Sequence, residues 1–281
     1  MKPSLSLFIA LLLHTLVGAA ATAMPTACPE HFAEGEAPQF ADPKLAVDTV
    51  PLCFRAFAVM HSGLSRTPLW SAERLDRERI RNAQTIKRRD VFHAEPQLAP
   101  DQRAELRDYS RSGFDRGHMS PSGDMPDAVS QQESFSLANI IPQDRNNNQN
   151  LWAGIEEKIR DLALRRGEIY VITGPMFEGA SLERINGRVL VPTHIFKAVY
   201  DPARKQAGAY IARNASGSDY ETVSIAELEK RSRINYFPRM PDMIKRQQMK
   251  LPEPETRRAP RRESQEHELM RDLLRILGIG R

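Results

Sequence analysis

The ten residues from Ser112 to Pro121 constrain this chain more than any other stretch. They read SGFDRGHMSP and set Asp115, Arg116 and His118 among two glycines. Glycine permits backbone conformations that other residues resist, so the run predicts a shaped loop that presents an acid, a guanidinium and an imidazole together. Taken alone, a solvated turn with a surface ion pair would have a similar sequence. A second cluster is needed to decide between the two.

That second cluster begins at Ser136. It comprises SLANIIPQ at 136–143, the asparagine-rich NNNQNLW at 146–152, and Glu156. The two clusters together resemble the signature of the DNA/RNA non-specific endonucleases, the ββα-metal nucleases that include secreted bacterial nucleases and mitochondrial endonuclease G. The resemblance extends from Cys28 to Pro241, with further similar runs SRTPLWSA at 65–72, TGP at 173–175 and INYFP at 234–238.

The resemblance implies an α+β fold, with a mixed, mainly antiparallel central sheet flanked by helices and a ββα-metal motif at the active site. It also implies metal-dependent hydrolysis of DNA and RNA with little sequence preference and 5′-phosphate products. His118 would be the general base, since imidazole titrates near neutral pH and can take a proton from water if a neighbouring carbonyl or carboxylate fixes its tautomer. Asn148 would be the metal ligand, and Glu156 would contact the metal's water shell.

The remaining site residues follow from the same resemblance. Arg116 and Arg66 would bind the scissile or adjacent phosphate as forked donors. Asp115 would orient its loop, and Asn139 would form hydrogen bonds near the base or the metal's water shell. Simpler alternatives stay open: Arg66 as a turn arginine, Asn139 as a strand-end cap, and Glu156 as a solvated helix carboxylate.

The resemblance selects Asn148 among several asparagines, since the family pattern requires a ligand nine residues after Asn139 and four before Trp152. Asn147 and Asn150 remain alternatives. An amide oxygen completed by waters suits Mg²⁺, with Mn²⁺ also acceptable, whereas zinc favours more His or Cys ligands. The partners would be DNA and RNA, held through their phosphates.

Charge restricts how the chain could bind nucleic acid. The formal net charge is only +4, so binding must depend on a local basic patch. The basic run from Arg79 to Arg89 either extends a substrate groove or is solvated surface.

The first residues indicate an exported protein. An apolar run at 5–17 and the small residues ATA at 21–23 predict a signal peptide over residues 1–23. The run is too short to be a membrane anchor, so we expect a mature protein without one, periplasmic or secreted. In an oxidising compartment the two cysteines, Cys28 and Cys53, are expected to form a disulfide, with two separate buried thiols as the alternative.

The expected organisation is one nuclease domain over residues 24–249, followed by a Pro/Arg-rich linker and a short C-terminal amphipathic helix over 250–281. Residues 27–51 are expected to be an arm held mainly by the disulfide. Apolar spacing predicts a helix over 149–166. Runs rich in Val, Ile and Tyr predict strands at 52–61, 68–72, 168–173, 188–200 and 206–213.

Two other functions are compatible with parts of the pattern. A nucleic-acid-binding protein without catalysis would need only the arginines, so the presence of His118, Asn148 and Glu156 argues against it. A delivered nuclease toxin with an immunity partner would need a delivery domain, and the sequence favours an ordinary signal peptide instead. The sequence predicts neither a preference between DNA and RNA nor an oligomeric state.

Overall fold

The computed structural model of the protein describes residues 26–255, so the predicted signal peptide and the end of the tail lie outside the described residues. The strands are β1 (Gln39–Phe40), β2 (Thr49–Cys53), β3 (Ala58–Ser62), β4 (Thr67–Asp76), β5 (Asp115–His118), β6 (Ile140–Gln143), β7 (Glu168–Met176), β8 (Arg184–Ile185), β9 (Val189–Leu190), β10 (His194–Asp201), β11 (Gln206–Arg213), β12 (Tyr220–Val223) and β13 (Ile234–Asn235). The helices are α1 (Arg77–Ala83), α2 (Leu106–Tyr109), α3 (Ala128–Ser134), α4 (Arg145–Asn147), α5 (Ala153–Arg166), α6 (Ile225–Ser232) and α7 (Asp242–Arg246), and a π turn (Asn148–Trp152) joins α4 to α5.

A seven-stranded sheet forms the centre of the molecule, in the order β12-β11-β10-β7-β4-β3-β2. Every pair of neighbours in it is antiparallel. Helices cover both faces, because α5 and α6 contribute to different apolar clusters. The predicted fold class, a large antiparallel sheet flanked by helices, is therefore confirmed.

Successive side chains of a strand point to opposite faces of the sheet, and β10 follows this rule. Phe196 and Ala198 enter the cluster beneath α6, whereas Ile195 and Val199 enter the cluster beneath α5. We call these two sides the α6 face and the α5 face.

Helix α5 forms because its apolar residues fall on one side, as the sequence predicts. Ile155, Ile159 and Leu162 lie along one stripe and are all buried against the sheet. The helical segment starts earlier than the predicted residue 149, because the Asp144 carboxylate accepts a hydrogen bond from the Asn147 backbone N–H at 2.9 Å and begins α4. The sequence also gave no indication of the π turn.

A two-stranded ribbon stands apart from the main sheet, where β5 pairs antiparallel with β6. The helix α4–α5 follows β6 directly. Gly113, at φ +84°, makes the turn into β5, as its left-handed backbone requires. Gly117 is needed for a different reason, because a Cβ there would collide with the Gln143 side chain on the facing strand.

The N-terminal segment is more than a tethered arm. The disulfide between Cys28 and Cys53 is present, as predicted. However, Phe32 is buried against Trp70, with ring centroids 5.7 Å apart, and β1 pairs with β13. The prediction that residues 27–51 are held mainly by the disulfide is therefore wrong, since apolar packing and strand pairing also hold them.

Two predicted strands are divided. The run 52–61 forms β2 and β3, joined by a turn in which the Phe54 N–H donates to the Phe57 carbonyl at 2.9 Å. The run 188–200 forms β9 and β10, and Pro192, which has no N–H to give to a ladder, lies between them.

The folded body extends past the predicted boundary at residue 249. Leu251 is buried in the cluster of the α5 face, and the Pro252 carbonyl accepts a hydrogen bond from the Tyr210 hydroxyl. The Lys158 ammonium also pairs with Glu255. The start of the expected linker is thus part of the domain, because its apolar residues complete a core.

Across residues 26–255, no helix combines the length and the apolar character that crossing a bilayer requires.

Candidate active site

A cleft of about 1140 Å³ opens between the β5–β6 ribbon and the helix that follows it. Five of the seven predicted site residues line it: Asp115, Arg116, His118, Asn148 and Glu156. The fold therefore brings the two sequence clusters together in one cavity.

His118 ends β5, and the residue is only 8% exposed. It packs against the rings of Phe92 and Phe135, with centroids 5.4 Å and 4.8 Å away. Burial lowers the pKa of His118 to about 3, and the positive charges of Arg88 and Arg116 add to the effect. The ring is thus neutral near pH 7, with an unprotonated lone pair on one of its two nitrogens.

Among residues 26–255, no side chain or carbonyl forms the hydrogen bond expected to fix the tautomer of His118. Its Nε2 is buried without a partner among the residues described. Neither ring nitrogen is bonded to a carbonyl or carboxylate in that part of the chain, so packing against aromatic rings holds the imidazole instead.

Asp115 organises the start of the helix. Its carboxylate accepts hydrogen bonds from Asn148 Nδ2 at 3.0 Å, Gln149 Nε2 at 2.8 Å and Arg145 Nε at 3.2 Å. Burial acts to raise its pKa, but these three donors hold the pKa of Asp115 below its ordinary value. Because the amide nitrogen of Asn148 is held by Asp115, the amide oxygen is the end left for a ligand.

The neighbouring asparagines differ from Asn148. Asn147 is buried, with its Oδ1 accepting from Gln143 Nε2 at 2.8 Å and its Nδ2 donating to the Arg213 carbonyl at 3.0 Å. Both ends of that amide are used in holding the helix to the ribbon and the sheet. Asn150 lines the cleft and donates to the Asn146 carbonyl at 3.0 Å. The geometry thus favours Asn148 over Asn147.

The π turn changes the relation between Asn148 and Glu156. On a regular helix, eight residues would separate the two side chains by about 80°. A π turn accommodates one additional residue, so the angle between the two side chains approaches that of residues seven apart on a regular helix. That angle is about 20°, which places Asn148 and Glu156 close to the same face of the helix. Burial raises the pKa of Glu156, while the charges of Lys197 and Arg160 lower it.

The donor set fits a hard cation. Within residues 26–255 there is no group of three or more His, Cys, Asp or Glu side chains that could hold a metal. A zinc-type site is therefore not formed by the described residues. One amide oxygen in a polar cleft, with a carboxylate nearby, matches a cation that retains most of its water.

Four arginines line the cleft: Arg88, Arg116, Arg160 and the Arg145 that binds Asp115. The guanidinium of Arg116 lies 4.2 Å from the centroid of the Phe92 ring, and that of Arg88 lies 5.3 Å from Phe135. Arg160 pairs with Asp124 at 3.0 Å. Arg88 belongs to the basic run noted in the sequence. Arg160 was missed, although it lies one helical turn after Glu156 and so on the same face.

Comparison with known proteins identifies the family. The family model for DNA/RNA non-specific endonucleases matches residues 39–243. The chain belongs to this family. Its members are hydrolytic, metal-dependent nucleases, and the predicted class of enzyme is confirmed.

Individual relatives agree with this assignment. Nuclease C1 of Cunninghamella echinulata var. echinulata is 31% identical, over 72% of this chain and 87% of the relative. The human mitochondrial nuclease EXOG is 29% identical over 67% of this chain, which spans only 57% of EXOG. The EndoG chain in the crystal structure of the EndoG/EndoGI complex shares the fold, with a TM-score of 0.62 at 24% identity. The match covers 69% of this chain and 88% of the EndoG chain.

In this nuclease the structure corrects the prediction for Arg66, which does not line the cleft. It occupies the turn between β3 and β4 with φ +57°. Its Nε donates to the Asp101 carbonyl at 2.9 Å and its Nη1 to the Arg188 carbonyl at 3.2 Å. The guanidinium thus binds backbone oxygens away from the cleft.

Asn139 lies close to His118 but outside the cleft. It is fully buried; its Oδ1 accepts from the Ser120 N–H at 3.0 Å, and its Nδ2 donates to the Ser120 and Ser134 carbonyls at 2.8 and 2.9 Å. Asn139 therefore fixes the backbone two residues after His118 and makes no contact of its own with the cleft.

Charged residues are buried behind the site on the α5 face. Lys197 is 1% exposed; its Nζ donates to Thr173 Oγ1 at 2.7 Å and to the Met119 carbonyl at 3.4 Å, and lies 5.5 Å from the Trp152 ring centroid. Burial raises the pKa of Glu73 to about 8, although Arg79 binds its carboxylate at 2.8 Å. The sequence carried no signal for these residues, because a charge within a strand usually faces solvent.

Proposed function

We propose that this protein is a secreted or periplasmic endonuclease that hydrolyses phosphodiester bonds of DNA and RNA. In this proposal His118 is the general base, Asn148 binds one Mg²⁺ ion, and the products have 5′-phosphate ends. The observation that carries the proposal is the cleft itself, in which a neutral imidazole and an amide oxygen without a partner among residues 26–255 lie among arginines.

The chain's own groups match the needs of phosphodiester hydrolysis. The neutral His118 takes a proton from the attacking water. Arg88 and Arg116 hold the phosphate and offset the charge that develops on its oxygens. Asp115 keeps the Asn148 amide oriented, and the Glu156 carboxylate accepts hydrogen bonds from water in the cleft. A bound Mg²⁺ ion would supply Lewis-acid stabilisation of the phosphate and of the leaving oxygen.

Two features support export. The N-terminal residues have the pattern of a signal peptide, and Cys28 and Cys53 form the disulfide expected in an oxidising compartment. Some relatives are mitochondrial nucleases, and export is proposed from this chain's own sequence.

The activity is tested by incubating the mature protein with plasmid DNA and with RNA, each with Mg²⁺ or with EDTA. Both nucleic acids should be cut internally with Mg²⁺ and left intact with EDTA. Products should accept radiolabel from polynucleotide kinase only after phosphatase treatment. Products labelled without phosphatase would overturn the assignment of the ends.

The metal ligand is tested with three matched variants. Asn148→Ala should lower turnover by at least about 100-fold, and raised Mg²⁺ should recover only part of it. Asn147→Ala should chiefly lower the melting temperature, because it breaks two buried hydrogen bonds. Asn150→Ala should stay near wild type. If folded Asn147→Ala were the inactive variant, Asn148 would not be the ligand.

A further inference from the structure

One wall of the cleft is chemically unlike the helix that carries Asn148. It is lined by Phe92, Leu106, Tyr109 and Phe114, which we call the aromatic wall. Phe92 and Phe114 pack on the same apolar cluster as Tyr109. Leu106 lies three residues before Tyr109 on α2, so the two side chains share a face of that helix.

The aromatic wall offers apolar surface to the cleft. Leu106 is 46% exposed, and Phe92 and Phe114 are only partly buried. A phosphodiester has no use for such a surface, since phosphate oxygens are bound by cations and N–H groups. The wall therefore suits another part of a substrate.

Tyr109 adds an unused hydrogen-bond donor. The residue is 7% exposed, and its hydroxyl has no partner within residues 26–255. Burial raises its pKa, so the hydroxyl keeps its proton. A buried hydroxyl without a partner is costly to the fold, and a ligand oxygen would satisfy it once the ring turns the hydroxyl, now beneath the cleft surface, towards the ligand.

Arg116 connects the wall to the phosphate site. Its guanidinium rests 4.2 Å from the Phe92 centroid and is exposed to the cleft. A nucleotide whose phosphate is held by Arg116 would therefore have its sugar and base beside the aromatic wall. A cleft of about 1140 Å³ has room for these groups.

We propose that the aromatic wall is a subsite for one unpaired nucleobase next to the scissile phosphate, with the Tyr109 hydroxyl donating to an oxygen of that nucleoside. Stacking on aromatic surface requires a base that has left its neighbours, as in single-stranded nucleic acid. The inference rests on the proposed nuclease function and adds a preference for single-stranded or locally unpaired substrate.

The test uses end-labelled single-stranded oligonucleotides that carry one abasic residue at successive positions. Wild-type enzyme should cut the phosphate beside the abasic residue about tenfold more slowly, while cuts elsewhere are unchanged. Phe114→Ala should lower kcat/KM on the intact oligonucleotide about tenfold and should cut abasic and intact sites equally.

Tyr109→Phe separates binding from folding. It should lower kcat/KM on intact strands about three- to tenfold, with no loss of melting temperature, because only the unpaired hydroxyl is removed. Met243→Ala, which changes a 70% exposed side chain on α7 outside the cleft lining, should match wild type.

Equal cutting of abasic and intact sites by the wild type would overturn the subsite while leaving the nuclease function in place. Wild-type kinetics of Tyr109→Phe would likewise remove the hydroxyl from the proposal. Absence of cleavage on every nucleic acid is a different result, which contradicts the proposed function itself.

Discussion

The two faces of the central sheet are built from different chemistry. The α6 face buries aromatic rings, among them Trp70, Phe196 and Tyr236. The α5 face also buries ionisable side chains, among them Glu73 and Lys197, close to the cleft. Burying a charge costs free energy that apolar packing does not. Both faces hold the fold together by apolar packing, and the difference indicates that the α5 face in addition gives up part of its stability to position ionisable groups.

Strand alternation makes the contrast unusually direct. Phe196 and Lys197 are consecutive residues of β10, yet one faces the aromatic cluster and the other faces the site. Substitutions of Phe196, Lys197 and His118 can therefore separate effects on stability from effects on catalysis.

The largest effect is expected for His118→Ala, on the rate. The proposed base contributes roughly 10²- to 10⁴-fold to turnover, so single-turnover cleavage should fall by about that factor. The melting temperature should fall only modestly, because the lost imidazole is uncharged and makes no hydrogen bond among the described residues, so only its packing on Phe92 and Phe135 is removed. Cleavage within a few-fold of wild type would show that another group acts as base.

The converse is expected for Phe196→Ala on the α6 face. Removing a fully buried ring that packs 4.8 Å from Tyr236 should lower the free energy of unfolding by about 3–5 kcal/mol. Well below its melting temperature, the variant should keep the wild-type kcat. A normal denaturation midpoint with lost activity would contradict the division between the faces.

A smaller effect on rate is expected for Lys197→Met, which preserves volume and removes the ammonium. The Met119 carbonyl next to His118 and the Trp152 ring would lose a shared contact, and kcat should fall by about tenfold. The charge also lowers the pKa of Glu156, so the acid limb of kcat/KM should move to higher pH. A purely structural lysine would change the melting temperature and leave that limb in place.

Sequence patterns predicted the parts of the site that depend on local order. The positions of His118 and Asn148 follow from clusters that fold as the ribbon and its helix, and apolar periodicity gave helix α5 and the central strands. Helix α5 and the strands depend on alternation over a few residues, which a linear pattern contains, whereas His118 and Asn148 were assigned from the resemblance to the nuclease family.

Long-range contacts account for what the sequence could not give. Arg66 was assigned to the cleft, but its partners are carbonyls at residues 101 and 188. Lys197 has partners on three other segments, and Leu251 in a Pro-rich tail fills a gap in the core. In each case the decisive neighbour is distant along the chain.

The smallest expected effect concerns pH and again distinguishes the two faces. The pKa of His118 is about 3 in the folded protein and about 6.5 when unfolded, so the unfolded chain binds a proton first as pH falls. The stability linked to this residue is complete above pH 6.5 and declines as pH falls towards 3.

Between pH 7 and pH 5 the wild type should lose about 2 kcal/mol of unfolding free energy more than His118→Ala. The buried histidines His31 and His61, whose pKa values burial also lowers, occur in both proteins and cancel in the difference. Phe196→Ala should show the wild-type pH difference, measured by urea denaturation at both pH values. Equal losses in wild type and His118→Ala would mean that the folded protein already accommodates a charged imidazole, and the cleft would then hold a proton donor instead of a base.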